Sequence, residues 1–278
     1  MSVETSAELR RVRPPRIGRD GRTTAPPPGA TMCRHLAYLG PPRTLWEVVC
    51  QPPHSLYQQS FAPRRQRHGT VNADGFGVGW YVPTDPVPAR YRSDRPIWSD
   101  GSFADIARVT RTRALVAAVR DATVGMPHTS DAVAPFRQGR WLFSHNGALG
   151  DWPSCVDELA AGLPPSRLVG LAAPTDSGLL WDLVAERLEH GQPATEAVRA
   201  VVRRAARITG SRLNLLLGDG ASIVATACGD TLWWRSHDGE VVVASEPFDD
   251  QPGWRDVPDG SLLLATARGV DVTPLCSP

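Results

Sequence analysis

From Cys33 onward, apolar residues fall in short alternating or continuous runs separated by glycine, proline and aspartate, and between residues 175 and 208 the spacing becomes that of helices. The runs at 33–39 and 75–82 predict short strands, and the nearly continuous apolar stretch at 114–120 predicts a buried one. Residues 141–145 predict another strand, closed by an Asn146-Gly147 turn. The helix predicted over 175–189 opens on Thr175 and Asp176 as cap candidates and aligns Leu179, Leu180, Leu183, Val184 and Leu188 on one stripe. A second helix over 195–208 repeats the pattern with Val198, Val201, Val202 and Ala205. The remainder reads as strands at 213–217, 222–228, 232–236, 240–245, 261–268 and 270–275, punctuated by Gly-Asp, Asp-Gly and Pro-Asp-Gly turns. Strands, then helices, then strands imply a layered α+β fold with antiparallel sheets. There is no internal repeat and no sign of a second domain.

Residues 1–31 have no such pattern. They hold six Arg against three acidic residues, with five Pro and three Gly, which is the composition of a disordered leader. That segment reads as a floppy tail or as translation from upstream of the working start, and Met32 ends it. The expected organisation is a leader over 1–32, removed before Cys33, and one domain over 33–278.

Composition narrows the function. With 41% apolar residues in 278, the chain can build a full core. Thirty basic residues against 29 acidic leave a net charge of +1, which speaks against a general nucleic-acid binder. All thirty basic residues are Arg, so lysine Schiff-base chemistry and the phosphate-binding lysines of P-loops and kinases are excluded. Five cysteines without a CxxC pair and seven histidines without an HxxxH pair argue against a disulfide framework and a zinc site, so neither metal nor cofactor is expected. No run is long and apolar enough to span a membrane, and the N-terminus has no signal-peptide core; a reducing, cytoplasmic setting is expected, with a homodimer left open.

Gly75-Phe76-Gly77-Val78-Gly79 has neither the third glycine nor the following helix of a dinucleotide site, and reads as a strand whose backbone approaches a neighbour closely. No GxSxG nucleophile elbow is present. Met32-Cys33 is the chemically suggestive pair. Removal of Met32 would place a free α-amine, with a pKa of about 7.7 to 8.0, beside the Cys33 thiol, so that one residue supplies nucleophile and base. Alone, the pair reads better as an ordinary buried cysteine.

Three further segments resemble the class II glutamine amidotransferases: Arg120-Asp121-Ala122-Thr123-Val124-Gly125, Ser144-His145-Asn146-Gly147, and Thr175-Asp176-Ser177 at a helix start. A narrower resemblance is to a stand-alone branch of that family, the amidohydrolases of ergothioneine biosynthesis, and it covers essentially all of 33–278. It is carried by Met32-Cys33-Arg34-His35-Leu36, Ala62-Pro63-Arg64-Arg65-Gln66, His68-Gly69, Asn72-Ala73-Asp74-Gly75, Ala122-Thr123-Val124-Gly125-Met126-Pro127 and Ala244-Ser245-Glu246-Pro247.

The resemblance implies a four-layer αββα sandwich of the N-terminal-nucleophile type. It also implies hydrolysis of the γ-glutamyl amide of γ-glutamyl-hercynylcysteine S-oxide through a Cys33 thioester. Asn146 would donate its side-chain amide, and Gly147 its backbone N–H, to the oxyanion. Arg120 would take the glutamyl α-carboxylate, Asp176 the α-ammonium, and Thr123 a further hydrogen bond. Asp121 stands where many members carry an aromatic, which leaves its role open. Because the leaving group bears a trimethylammonium, Trp80, Tyr81, Trp98, Trp141 and Trp152 are candidates for an aromatic cage. Arg64 and Arg65 read either as part of the entrance or as a solvated pair. The competing readings are a glutaminase that supplies ammonia to a separate synthase, a non-catalytic amidotransferase-like binding subunit, and an acyl-amide hydrolase of another N-terminal-nucleophile branch.

Overall fold

The computed structural model describes residues 33–66, 69, 71–123 and 125–275. The predicted leader, Met32, His68, Val124 and Cys276 lie outside the described residues. In chain order the elements are β1 (Arg34–Thr44), α1 (Leu45–Val49), α2 (Leu56–Gln59), β2 (Phe76–Trp80), β3 (Ala89–Ser93), α3 (Gly101–Val109), β4 (Arg111–Val119), β5 (Phe136–Gln138) and β6 (Trp141–Ala148). They continue with α4 (Val156–Leu159), α5 (Pro165–Val169), α6 (Asp176–Glu189), α7 (Ala194–Ala205), β7 (Arg212–Gly218), β8 (Ser222–Ala227), β9 (Trp233–His237), β10 (Glu240–Ala244), β11 (Arg255–Asp256), β12 (Ser261–Thr266) and β13 (Gly269–Pro274).

The strands form two antiparallel sheets, ordered β11-β9-β10-β1-β4-β2-β3 and β13-β12-β8-β7-β6-β5. Period-two alternation sorts their side chains into layers. In the first sheet Leu36, Tyr38, Leu115, Ala117 and Val242 pack with Leu45, Val48, Leu56 and Phe103 of α1–α3. The intervening Ala37, Val116, Val241 and Val243 turn the other way and meet Leu216, Ile223, Ala225 and Leu263 of the second sheet. That sheet's outer face, through Leu213, Leu215 and Leu217, packs with Leu179, Leu183, Val198 and Val202 of α6 and α7. The result is helices, sheet, sheet, helices, the αββα sandwich that the resemblance implied.

Small residues let the two sheets close on each other. On β2, a Cβ at Gly79 would meet Leu142 Cδ1 at 2.7 Å, and one at Gly77 would run into the carbonyl of Ala134. The glycine cluster is therefore a strand that admits a neighbouring backbone, as its sequence context predicts. Helices α1 to α5 and strands β3, β5 and β11 have no counterpart among the predicted elements. Of these, α3 is capped by Asp100, whose Oδ1 accepts from Phe103 N at 3.0 Å. One prediction is corrected. Asn146 and Gly147 do not make a turn; β6 runs on to Ala148, with Asn146 opposite Asn214 and Gly147 opposite Leu213.

Candidate active site

Cys33 lies immediately before β1, the central strand of the first sheet, where Arg34 pairs with Val119 at the end of β4. This brings Cys33 next to Arg120 and Asp121, and its thiol reaches the Asp121 carbonyl at 3.9 Å. Burial pushes the thiol up to about 11; the Asp121 hydrogen bond and the Arg120 charge work against that, while the Asp121 and Asp176 carboxylates add to it. Left to itself the thiol keeps its proton at neutral pH.

Arg120 is buried and its Nη1 has no hydrogen-bond partner among the described residues. Its backbone is fixed on both sides: Arg120 N donates to Gly75 O at 2.8 Å, and Asp74 N donates to Arg120 O at 3.0 Å. Asp74 Oδ2 also accepts from Ala122 N at 2.8 Å, so the Asn72-Ala73-Asp74-Gly75 segment acts as a clamp on the arginine loop. A buried guanidinium nitrogen left unserved by the protein is costly unless a ligand anion completes it.

On the other sheet, Asn146 is fully buried and donates from Nδ2 to Ser245 Oγ at 3.2 Å. Ser245 fixes the orientation of that amide. Its Oγ accepts from His35 N at 3.0 Å and donates its one proton to His35 O at 3.3 Å, so it can only accept from Asn146 and the amide nitrogen must face it. Gly147 has φ +153°, and a Cβ there would clash with the carbonyl of Arg212, so only glycine fits. Leu213 N donates to Cys228 O, so Gly147 and Leu213 face each other in a non-hydrogen-bonded pair. The Gly147 N–H therefore points away from β7.

Asp176 is the first residue of α6 and is buried. The helix is capped by Thr175, whose Oγ1 accepts from Gly178 N at 3.0 Å, so the capping role open to Asp176 belongs to its neighbour. Asp176 instead accepts from Leu149 N at 3.1 Å and Ser177 N at 2.7 Å, which holds its carboxylate at the end of β6. His145 reinforces the junction through Ser177 Oγ at 2.9 Å and Arg212 O at 2.9 Å.

A cleft of about 980 Å³ opens beside this group, lined among others by Thr123, Met126, Leu149, Trp152, Asp176 and Arg212. Cys33, Arg120, Asn146 and Gly147 do not line it. Asp176 connects the two regions, being part of the cleft wall and close enough to the thiol to act on its charge. Among the cage candidates only Trp152 lines the cleft. Trp80 and Trp98 pack with the outer core of the first sheet, Tyr81 donates to Gly218 O at 2.7 Å, and Trp141 lies under the guanidinium of Arg140. Arg64 and Arg65 do not line the cleft either. Their backbone N–H groups donate to buried Glu246 at 3.0 and 2.7 Å, while Arg64 pairs with Asp250 and Arg65 stacks on Trp233.

The structure thus gathers Cys33, Arg120, Asn146, Gly147 and Asp176 at one end of the sandwich, with Thr123 in the adjoining cleft. Ser245, Glu246 and Asp74 organise that end and had no role assigned from sequence, although each falls within a motif that carries the resemblance.

Comparison with known proteins gives the family and the fold. Residues 44–237 match the family model described as glutamine amidotransferases class-II, a span that holds Arg120, Thr123, Asn146, Gly147 and Asp176 and begins after Cys33. The chain is 44% identical over 246 residues to a γ-glutamyl-hercynylcysteine sulfoxide hydrolase of Mycolicibacterium smegmatis, covering 88% of this chain and 100% of the relative. It is 43% identical over 244 residues to the protein of the same name from Mycobacterium tuberculosis, covering 88% and 97% of the two chains. Among solved structures, a glutamine aminotransferase class-II domain protein from Silicibacter pomeroyi superposes with a TM-score of 0.61 at 23% identity, over 88% of this chain and 100% of that one, a likeness of fold.

Proposed function

The chain belongs to the class-II glutamine amidotransferases, and on that premise we propose that it hydrolyses the γ-glutamyl amide bond of γ-glutamyl-hercynylcysteine sulfoxide, releasing glutamate and hercynylcysteine sulfoxide. The observation that carries the reading is the meeting of Cys33 with the unserved guanidinium nitrogen of buried Arg120 and the carboxylate of Asp176, a set matched to the head of a γ-glutamyl group.

The chemistry follows from the thiol's high pKa. A thiol pushed up to about 11 needs a base at its side, and the α-amine of an N-terminal Cys33 has the right basicity near neutral pH. The amine takes the thiol proton and the sulfur attacks the γ-carbonyl carbon. The carbonyl electron pair moves to oxygen, which receives the second N–H of the Asn146 amide and the backbone N–H of Gly147. Collapse breaks the C–N bond, and the departing amine takes the proton held by the Cys33 ammonium. Water, deprotonated by the Cys33 amine, then cleaves the thioester; glutamate leaves and the thiol re-forms. Arg120 holds the α-carboxylate, Asp176 the α-ammonium, and Thr123 lends a hydrogen bond beside them.

In a chain that runs through Met1, the nitrogen of Cys33 is an amide and cannot act as base. In this reading the working enzyme therefore begins at Cys33, either translated from Met32 and trimmed of it or cut at the 32–33 bond, and residues 33–278 act as one amidotransferase-type domain. In this reading it works in the cytoplasm on a small molecule. Among the described residues no helix is long and apolar enough to cross a membrane.

Intact-protein mass spectrometry before and after 6-diazo-5-oxo-L-norleucine, with peptide mapping, tests the mechanism. A chain beginning at Cys33 with a single adduct on that residue is expected. Activity from a verified full-length chain, or an adduct elsewhere, overturns it. Glutamate release is then compared between the sulfoxide substrate and free glutamine; fast glutaminase activity without sulfoxide hydrolysis would overturn the substrate assignment.

A further inference from the structure

The leaving half of the proposed substrate ends in a trimethylammonium, a full positive charge with no N–H to donate. Hydrogen-bonding side chains cannot grip such a group. The face of an aromatic ring can, because its electron-rich surface attracts the charge through the methyl groups.

The chain's own cations already cover many of its aromatic faces. Of nine tryptophans, Trp141, Trp233, Trp234 and Trp254 each lie under an arginine guanidinium, 4.5 to 5.1 Å from the ring centroid. Trp181 stacks on Phe143, Trp98 meets Phe61 edge to face, and Trp46 and Trp80 pack with the outer core of the first sheet. Trp152 differs from all of these. It packs against the core beneath α6, forms part of the cleft wall, and has no guanidinium over its ring among the described residues.

The loop that leads into Trp152 fixes its place. Gly150 N donates to Ser211 Oγ at 3.1 Å, and a Cβ on Gly150 would strike the Thr209 carbonyl, so the loop lies tight against the connection between α7 and β7. Asp151 takes a left-handed φ of 51°, and its carbonyl accepts from Cys155 N at 3.0 Å, which turns the chain toward α4 with Trp152 in the cleft wall. The charges nearby have the sign a cation needs. Asp151, Asp176 and Arg212 are the charged side chains of the cleft; Arg212 is paired with buried Asp230, and Asp176 is assigned to the glutamyl α-ammonium. Asp151, next to Trp152 in the chain, forms no ion pair among the described residues. Met126, Leu149, Val156 and Leu168 add apolar surface that suits methyl groups.

Resting on the reaction proposed above, we infer that Trp152 binds the trimethylammonium of the leaving group on its indole face and thereby selects cationic leaving groups over neutral ones of the same shape. Arg120 and Asp176 recognise a head that every γ-glutamyl amide shares, so discrimination among such amides comes from the leaving side of the cleft.

The test uses the enzyme beginning at Cys33 and two substrates, γ-glutamyl-hercynylcysteine sulfoxide and its isostere with a tert-butyl carbon in place of the trimethylammonium nitrogen. The readout is kcat/KM from glutamate release. Wild type prefers the cation by about 5- to 30-fold, the scale of a cation–π contact partly removed from water. Trp152→Leu brings the ratio to within about twofold of one, the remainder being the weak pull of the exposed Asp151 carboxylate. Trp152→Phe, which keeps a smaller aromatic face, retains part of the preference. Damage to the fold lowers both rates and leaves the ratio unchanged, so the ratio reads recognition alone, and the wild-type comparison stands even where a variant fails to fold. Equal wild-type rates on the two substrates, or a preference that survives in Trp152→Leu, overturns the inference and leaves the reaction standing. Wild type that cleaves neither substrate overturns the reaction and this inference with it.

Discussion

Glu246 is the place where the first sheet, the loop after α2 and the strand that carries the nucleophile are tied together, and Glu246→Gln should expose how much depends on it. Its carboxylate is 1% exposed and accepts from Arg34 Nη2 at 2.9 Å, Arg64 N at 3.0 Å and Arg65 N at 2.7 Å. Arg34 is fully buried, and its Nε and Nη1 have no partner among the described residues, so Glu246 is its main compensation, with Asp230 a lesser one. Glutamine is nearly isosteric, but its single oxygen replaces only one of the two carboxylate oxygens that serve Arg64 N and Arg65 N, and it leaves the Arg34 charge without this counterion. Stranding one member of a buried ion pair costs about 3 to 5 kcal/mol. For a domain of this size that corresponds to a Tm about 6 to 20 °C lower. Urea unfolding followed by tryptophan fluorescence, on wild type and variant, gives the difference directly. The double variant Arg34→Met/Glu246→Gln keeps one of the two backbone acceptors and removes the stranded charge, so it should recover part of the loss. A single variant within about 1 kcal/mol of wild type, or a double variant less stable than the single, refutes the reasoning.

Arg120→Met should lower kcat/KM on the γ-glutamyl substrate by about 100-fold or more, and much less on an analogue without the glutamyl α-carboxylate; an equal loss on both would mean that Arg120 is only scaffold. Asn146→Ala should lower kcat by about 10² to 10³ with little change in KM, and a kcat within tenfold of wild type would remove it from the oxyanion site. His35 is fully buried and held down to about 3, chiefly by burial and then by His145 and Arg34, so it folds as a neutral ring. A depressed pKa of this kind gives stability that is present above about 6.5 and is lost as pH falls toward 3, at about 1.4 kcal/mol per pH unit. Urea unfolding between pH 6 and 5, above the carboxylate range, should therefore show a slope that His35→Gln flattens by about that amount; equal slopes would contradict it.

The layers of the fold were legible where burial imposes a period. The stripe Leu179, Leu183 and Val184 on α6 and the alternation Leu213, Leu215 and Leu217 on β7 are the faces that build one core, and both could be read directly. Short elements were not legible. Helices α1 and α2 span five and four residues, too few for a period to emerge. Strand β3 lies at a sheet edge with every residue half-buried, so it carries no alternation to read. The Asn146-Gly147 turn failed for a different reason. A turn and a strand glycine forced to positive φ ask for the same residue, and only the approach of the Arg212 carbonyl from β7 distinguishes them.

The candidate site was legible as a set of residue types but not as a geometry. Cys33 and Arg120 flank strands of the first sheet, whereas Asn146 and Gly147 belong to the second, so the distance between attacking sulfur and oxyanion donors is set by the offset between two sheets that, among the described residues, are not paired strand to strand. Residue spacing along the chain carries no information about that offset. Side chains that cross the layers must fix it. His35 Nδ1 meets Ser144 Oγ at 3.2 Å, and Ser245 holds both backbone groups of His35 while it accepts from Asn146. Ser245 follows β10 in the first sheet and orients the amide in the second, so one hydroxyl couples the strand that bears the thiol to the donor it must reach.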